Sequence, residues 1–122
     1  MAKVIIADDA SFMRGSLKFI LESAGHEVVG LAKDGKEALE LYIKLKPDLV
    51  LLDILMAGMD GFLSLKGIMK ENPSAKVMMV TALGHEAKRK EATDLGASGF
   101  VKKPFTREEI IAEVERVIGK PR

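Results

Sequence analysis

Short, unbroken apolar runs rich in β-branched residues alternate along this chain with longer stretches in which apolar positions recur every three or four residues. The first pattern marks strands buried on both faces and the second marks amphipathic helices, so their alternation predicts five βα units around a parallel sheet. Val4-Ile5-Ile6-Ala7 is the first strand, running into Asp8-Asp9, and the helix after it carries Met13, Leu17, Ile20, Leu21 and Ala24 before stopping at Gly25. Val28 to Ala32 is the second strand, Asp34-Gly35 a turn, and the second helix bears Ala38, Leu39, Tyr42 and Leu45 up to Pro47-Asp48. Leu49-Val50-Leu51-Leu52 is the most apolar run, which places it at the centre of the sheet, and it delivers Asp53 at its end.

After a loop containing Gly58 and Gly61, a third helix is expected from about Phe62 to Glu71, closed by Asn72-Pro73. Its Gly67 costs roughly 1 kcal/mol against alanine unless a neighbour packs close there. Val77 to Val80 forms the fourth strand, ending at Thr81, and a basic helix runs from about Glu86 to Leu95, capped by Gly96. Gly99-Phe100-Val101 is the fifth strand, reaching Lys102-Lys103-Pro104, and the last helix sets Ile110, Ile111, Val114, Val117 and Ile118 on one stripe opposite a charged face. Short loops and the absence of repeats or a linker predict a single domain over residues 1–122.

The ends of these strands carry the chemistry. Asp8-Asp9, Asp53, Thr81 and Lys103 lie far apart in sequence, yet parallel strand ends meet along one edge of a sheet, where ligands of such folds bind. Three carboxylates converging there would repel one another unless a divalent cation and the lysine ammonium shared the pocket. A site that handles phosphate is the leading expectation.

Composition narrows the alternatives. The 122 residues are 48% hydrophobic and 30% charged with a formal charge of +1, a globular balance that gives no general attraction to nucleic acid or anionic membrane. The chain has no cysteine, which excludes disulfides, thiol chemistry and cysteine-ligated metal centres. With a strand starting at Val4 there is no room for a leader, and no apolar run approaches membrane-spanning length, so a cytoplasmic protein is expected. His26 and His85 read as exposed turn residues without metal-ligand company, and Lys88-Arg89-Lys90 as a solvated face.

Ile5-Ile6-Ala7-Asp8-Asp9, Asp53 with Met59-Asp60-Gly61 after it, Thr81-Ala82, and Lys103-Pro104-Phe105 occur in order, each at the end of its expected strand. In this the whole chain resembles the receiver domains of two-component response regulators, most closely the stand-alone CheY-like chemotaxis type. The resemblance implies a flavodoxin-like three-layer α/β sandwich with strand order 2-1-3-4-5. It implies that Asp53 is the phosphoryl acceptor, that Asp9 binds Mg2+ directly and Asp8 through water, and that the Leu55 backbone carbonyl is a further ligand, with Mn2+ as a substitute metal. Lys103 and Thr81 would bind the remaining phosphoryl oxygens. Thr81 drawn inward would leave space for Phe100, the counterpart of the family's aromatic switch, and so alter the surface of the fourth helix, fifth strand and fifth helix. The Lys103-Pro104 peptide resembles the family's cis bond.

Such a protein is a signalling receiver that assists its own phosphorylation and dephosphorylation, not a conventional enzyme. The implied partners are a sensor histidine kinase, a histidine phosphotransfer protein or a small acyl phosphate as donor, and a downstream protein on the altered surface. Neither direct nucleic-acid binding nor membrane insertion is expected.

The chain departs from the family pattern at three places. Ala57, followed by Gly58, stands where proline is usual, so the loop over residues 54–61 is expected to be less preorganised. Leu55 and Leu83 stand two residues after Asp53 and Thr81, where neither can orient an attacking water, which predicts a long-lived acyl phosphate.

Three rival readings remain open. A haloacid-dehalogenase-type phosphatase also uses a strand-end aspartate, Mg2+, Thr and Lys, but needs a second acid where Leu55 stands. A flavodoxin-like cofactor binder is disfavoured by the acidic edge and by the lack of a glycine-rich phosphate loop after the first strand. A receiver excised from a larger regulator with DNA-binding or enzymatic output fits the same residues.

Overall fold

The computed structural model describes residues 2–56 and 60–120. The elements follow in the order β1 (Lys3–Ala7), α1 (Ser11–Ser23), β2 (Glu27–Ala32), α2 (Gly35–Leu45), β3 (Leu49–Leu52), α3 (Gly61–Glu71), β4 (Val77–Thr81), α4 (Glu86–Asp94), β5 (Gly99–Lys102) and α5 (Arg107–Ile118). All strand pairings are parallel and the order is β2-β1-β3-β4-β5, with β3 at the centre as its unbroken apolar run requires.

Because successive side chains of a strand point to opposite faces, the alternation divides the core into two layers. Ile5, Val50, Leu52, Val77, Met79 and Phe100 pack on one face with residues of α2 and α3 and with Ala92 of α4. Val4, Ile6, Leu49, Leu51, Met78, Val80 and Val101 pack on the other with α1 and α5. Parallel strands with helices on both sides make a flavodoxin-like three-layer sandwich.

Helix starts follow local chemistry. Asp34 and Asp60 cap α2 and α3 by accepting from the backbone N–H of Glu37 and Leu63, and Thr106 and Glu109 form a reciprocal capping box at α5. Gly67 has its close neighbour: a Cβ there would lie 2.8 Å from Cδ2 of Leu39, so glycine lets α2 and α3 approach. Leu45, counted above in the packed stripe of α2, lies at the last turn and is exposed.

His26 corrects the sequence reading. It is buried, 5% exposed, and neither ring nitrogen has a hydrogen-bond partner among the described residues. A polar residue beside a glycine turn reads as solvent-facing, but here Ser23 and Gly25 stay exposed while His26 itself is buried. Burial holds the His26 pKa below the ordinary histidine value, with the Glu115 carboxylate opposing. Among the described residues no helix is long and apolar enough to cross a membrane.

Candidate phosphoryl-acceptor site

The strand ends are in register at one edge of the sheet, and the ladder extends into the candidate site residues themselves. Asp8 N–H donates to the Ala32 carbonyl at 3.0 Å, Asp53 N–H to that of Ala7 at 3.1 Å, and Lys103 N–H to that of Thr81 at 2.8 Å. Each residue is therefore placed by the terminal carbonyl of a neighbouring strand. The Lys103-Pro104 peptide is cis.

Asp8, Asp53 and Thr81 also share one local device, an acceptor side chain closing a turn onto the backbone N–H two residues on. Asp8 Oδ1 accepts from Ala10 at 2.9 Å, Asp53 Oδ1 from Leu55 at 3.1 Å, and Thr81 Oγ1 from Leu83 at 3.2 Å. All three residues are buried, at 1%, 5% and 0% exposure. Their burial is tolerated because each polar atom is engaged.

Lys103 joins the two acids. Its Nζ lies 2.6 Å from Oδ2 of Asp8 and 2.8 Å from Oδ2 of Asp53. Burial alone would favour the neutral amine, but the hydrogen bonds it donates to Asp53 and Asp8, with the charges of both carboxylates, outweigh it and hold the lysine pKa above its usual value. Two carboxylates against one ammonium leave a net negative charge in a site that is largely buried, the Lys103 side chain keeping 17% exposure.

Asp9 does not enter this cluster; it is solvent-exposed. Among the described residues no three acidic or histidine side chains gather closely enough to hold a cation unaided. The donor set nonetheless suits magnesium, which takes one or two carboxylates with other oxygens and keeps several waters. Asp8, Asp53, the neighbouring Asp9 and the Leu55 carbonyl are all oxygen donors, and the excess negative charge is the right sign.

Thr81 ends β4 two residues beyond Met79, the register partner of Phe100 on β5, and the Phe100 ring is buried against the α2–α3 layer with the Arg89 guanidinium 5.4 Å from its centroid. Lys88 lies over Phe62 at the same distance. Two members of the basic run expected to be solvated thus cover aromatic side chains, while Lys90 makes an exposed ion pair with Asp94.

Over residues 4–115 the chain matches the response regulator receiver domain. It belongs to the response regulator receiver family. This receiver is 44% identical over 115 residues to the chemotaxis protein CheY of Thermotoga maritima, covering 94% of this chain and 96% of that one. It is 43% identical over 119 residues to Protein CcdB of Bacillus subtilis, covering 98% and 99%. Among solved structures it superposes with a TM-score of 0.93 on the CheX-CheY-BeF3-Mg+2 complex from Borrelia burgdorferi, at 37% identity and covering 94% of this chain and 87% of that one.

Arg14 escaped the sequence reading, and Gly61 was read there only as a loop and motif residue. Arg14 of α1 donates from Nη1 to the Asp8 carbonyl at 2.6 Å, and its place one turn into the helix was the available signal. Gly61 begins α3 with its N–H on the Ile54 carbonyl at 2.8 Å, and a Cβ there would overlap the Asp53 carbonyl oxygen and lie 2.6 Å from Cα of Ile54. Only glycine lets α3 start so close to the end of β3. Ala57, Gly58 and Met59 lie outside the described residues.

Proposed function

We propose that this receiver is a phosphorylation-dependent signalling switch in chemotaxis or motility, as its CheY relatives suggest, and that Asp53 accepts the phosphoryl group. The observation carrying this reading is the buried Asp8–Lys103–Asp53 cluster at the sheet edge. In the reaction one carboxylate oxygen of Asp53 forms a bond to phosphorus while the donor's P–N or P–O bond breaks, the electron pair leaving with the donor. Asp8, Asp9, Asp53 and the Leu55 carbonyl would hold Mg2+, whose charge would offset that of the transferring oxygens. Lys103, already on Asp53 Oδ2, neutralises a second oxygen, and Thr81 exchanges the Leu83 N–H for a hydrogen bond donated to a third.

That movement of Thr81 is the start of the switch. It changes the space beside Phe100 and, through the ring, the surface formed by α4, β5 and α5, where a downstream protein would dock. The donor is a histidine kinase, a histidine phosphotransfer protein or a small acyl phosphate, and the setting is the cytoplasm. A phosphatase of the haloacid-dehalogenase type is disfavoured by Leu55, whose side chain offers no acid. Intact mass spectrometry after treatment with acetyl phosphate tests the reading. One added phosphoryl group is expected with Mg2+ and none with a chelator or in Asp53→Asn; an adduct that survives Asp53→Asn would reject it.

A further inference from the structure

β5 is an edge strand, paired with β4 on one side only, and it carries Phe100. An edge leaves backbone groups without a strand partner. Here α5 supplies the partner. Glu113 accepts the Phe100 N–H at 2.9 Å, and Arg116, bound to both oxygens of that carboxylate at 2.8 and 2.9 Å, donates at 2.7 Å to the carbonyl of Ser98. The Glu113 side chain is 18% exposed and that of Arg116 59%. The Arg116 hydrogen bond, with smaller contributions from the Phe100 N–H and from the charges of Arg116 and Arg89, holds Glu113 below the usual carboxylate range, so it stays ionised at neutral pH. The same Arg89 rests on the Phe100 ring from α4. Backbone and ring of one residue are therefore gripped from two different helices.

We propose that Glu113, with Arg116, is the positioning clamp of the switch: it fixes the Phe100 main chain to α5, so that a change at Thr81 is expressed in the ring and in α4. This rests on the reading of Phe100 as the switch aromatic. A strand free to shift would absorb the change in its own backbone. A clamped strand leaves only the side chain to move, and the ring carries Arg89 and the rest of α4 with it.

The test uses amide NMR of the full chain, with and without Mg2+ and beryllium trifluoride as the phosphoryl mimic. In Glu113→Ala the Phe100 amide should exchange with solvent roughly tenfold faster than in the parent, as loss of a charged acceptor implies. Shifts induced at Asp53, Thr81 and Lys103 should persist, while those over α4 fall to about half or less. Glu113→Gln, which keeps an acceptor oxygen and the volume, guards against misfolding and should show the same changes at smaller amplitude. The charge reversal Glu113→Arg with Arg116→Glu separates the clamp from a plain ion pair. It restores opposite charges, but a guanidinium cannot accept from the Phe100 N–H, so it should behave like Glu113→Ala. Recovery of parent-like exchange and α4 response in that double variant, or unchanged behaviour in Glu113→Ala and Glu113→Gln, would overturn the proposal. A parent protein that shows no induced shift at Asp53 would reject the phosphoryl reading instead, and the solvent-exchange comparison would still decide the clamp.

Discussion

The ammonium of Lys103 sits 2.8 Å from Oδ2 of Asp53, a residue 50 positions away in sequence, and shares itself with Asp8. The ion pair thus joins the ends of three strands, β1, β3 and β5, and leaves one negative charge uncompensated.

That charge count makes opposite predictions for the two partners. Lys103→Met leaves two buried carboxylates facing each other and should cost about 3–5 kcal/mol, the usual effect of removing one partner from a buried pair. Asp53→Asn leaves one acid on one ammonium and should be neutral or stabilising by about 1 kcal/mol, since it relieves like-charge repulsion. Urea unfolding at neutral pH with a chelator present compares them. Equal destabilisation by both would contradict the cluster's electrostatics.

His26 should make stability pH-dependent on the acid side. Its folded-state pKa is lowered, so below the unfolded value of about 6.5 the unfolded chain binds the proton more readily, and stability falls as pH drops through that value. One proton limits the slope to about 1.4 kcal/mol per pH unit. Unfolding curves between pH 7 and pH 5 should be flatter for His26→Leu than for the parent; identical slopes would show that the imidazole is not held neutral.

With Asp53 as the proposed acceptor, Leu55 and Leu83 set the expected phosphoryl lifetime. Leu55 is exposed and Leu83 half-buried, and each gives its N–H to the functional side chain while offering no polar group to a water. Leu55→Asn with Leu83→Glu should speed loss of phosphate by about tenfold or more, because hydrolysis gains groups that orient water. The decay of the phosphorylated protein by mass spectrometry is the readout, and an unchanged rate would reject the role given to these positions.

Gly61→Ala tests how closely α3 must approach Asp53, the proposed acceptor. Its methyl group would overlap backbone, not a flexible side chain, so the residues after Asp53 must shift, at about 1–3 kcal/mol. Both thermal stability and the rate of phosphorylation should fall. A variant as stable and as reactive as the parent would mean that the contact imposes nothing on the site.

The strands were legible because burial on both faces writes itself as unbroken apolar runs; Leu49–Leu52 is the observed β3 to the residue. Asp8, Asp53, Thr81 and Lys103 were legible because strand ends of a parallel sheet share an edge. What pattern cannot show is which polar groups tertiary packing will need. Glu113 lies on the charged face of an amphipathic helix, indistinguishable there from Glu108 or Glu115, and only the unpaired N–H of an edge strand singles it out. His26 was misread for the same reason, since a turn in sequence says nothing of what covers it. Asp9 stands next to Asp8 but lies in the bend after β1, exposed and outside the ion pair that Asp8 and Asp53 make with Lys103, a difference between adjacent acids that sequence does not show.

The most direct measurement locates the phosphoryl group itself. After acetyl phosphate and Mg2+, borohydride reduction converts an acyl phosphate to the alcohol with release of phosphate, and peptide sequencing by mass spectrometry then finds the reduced residue. Reduction at position 53 alone, and only when Mg2+ is present, is predicted; reduction at position 8 or 9, or none at any aspartate, would contradict it.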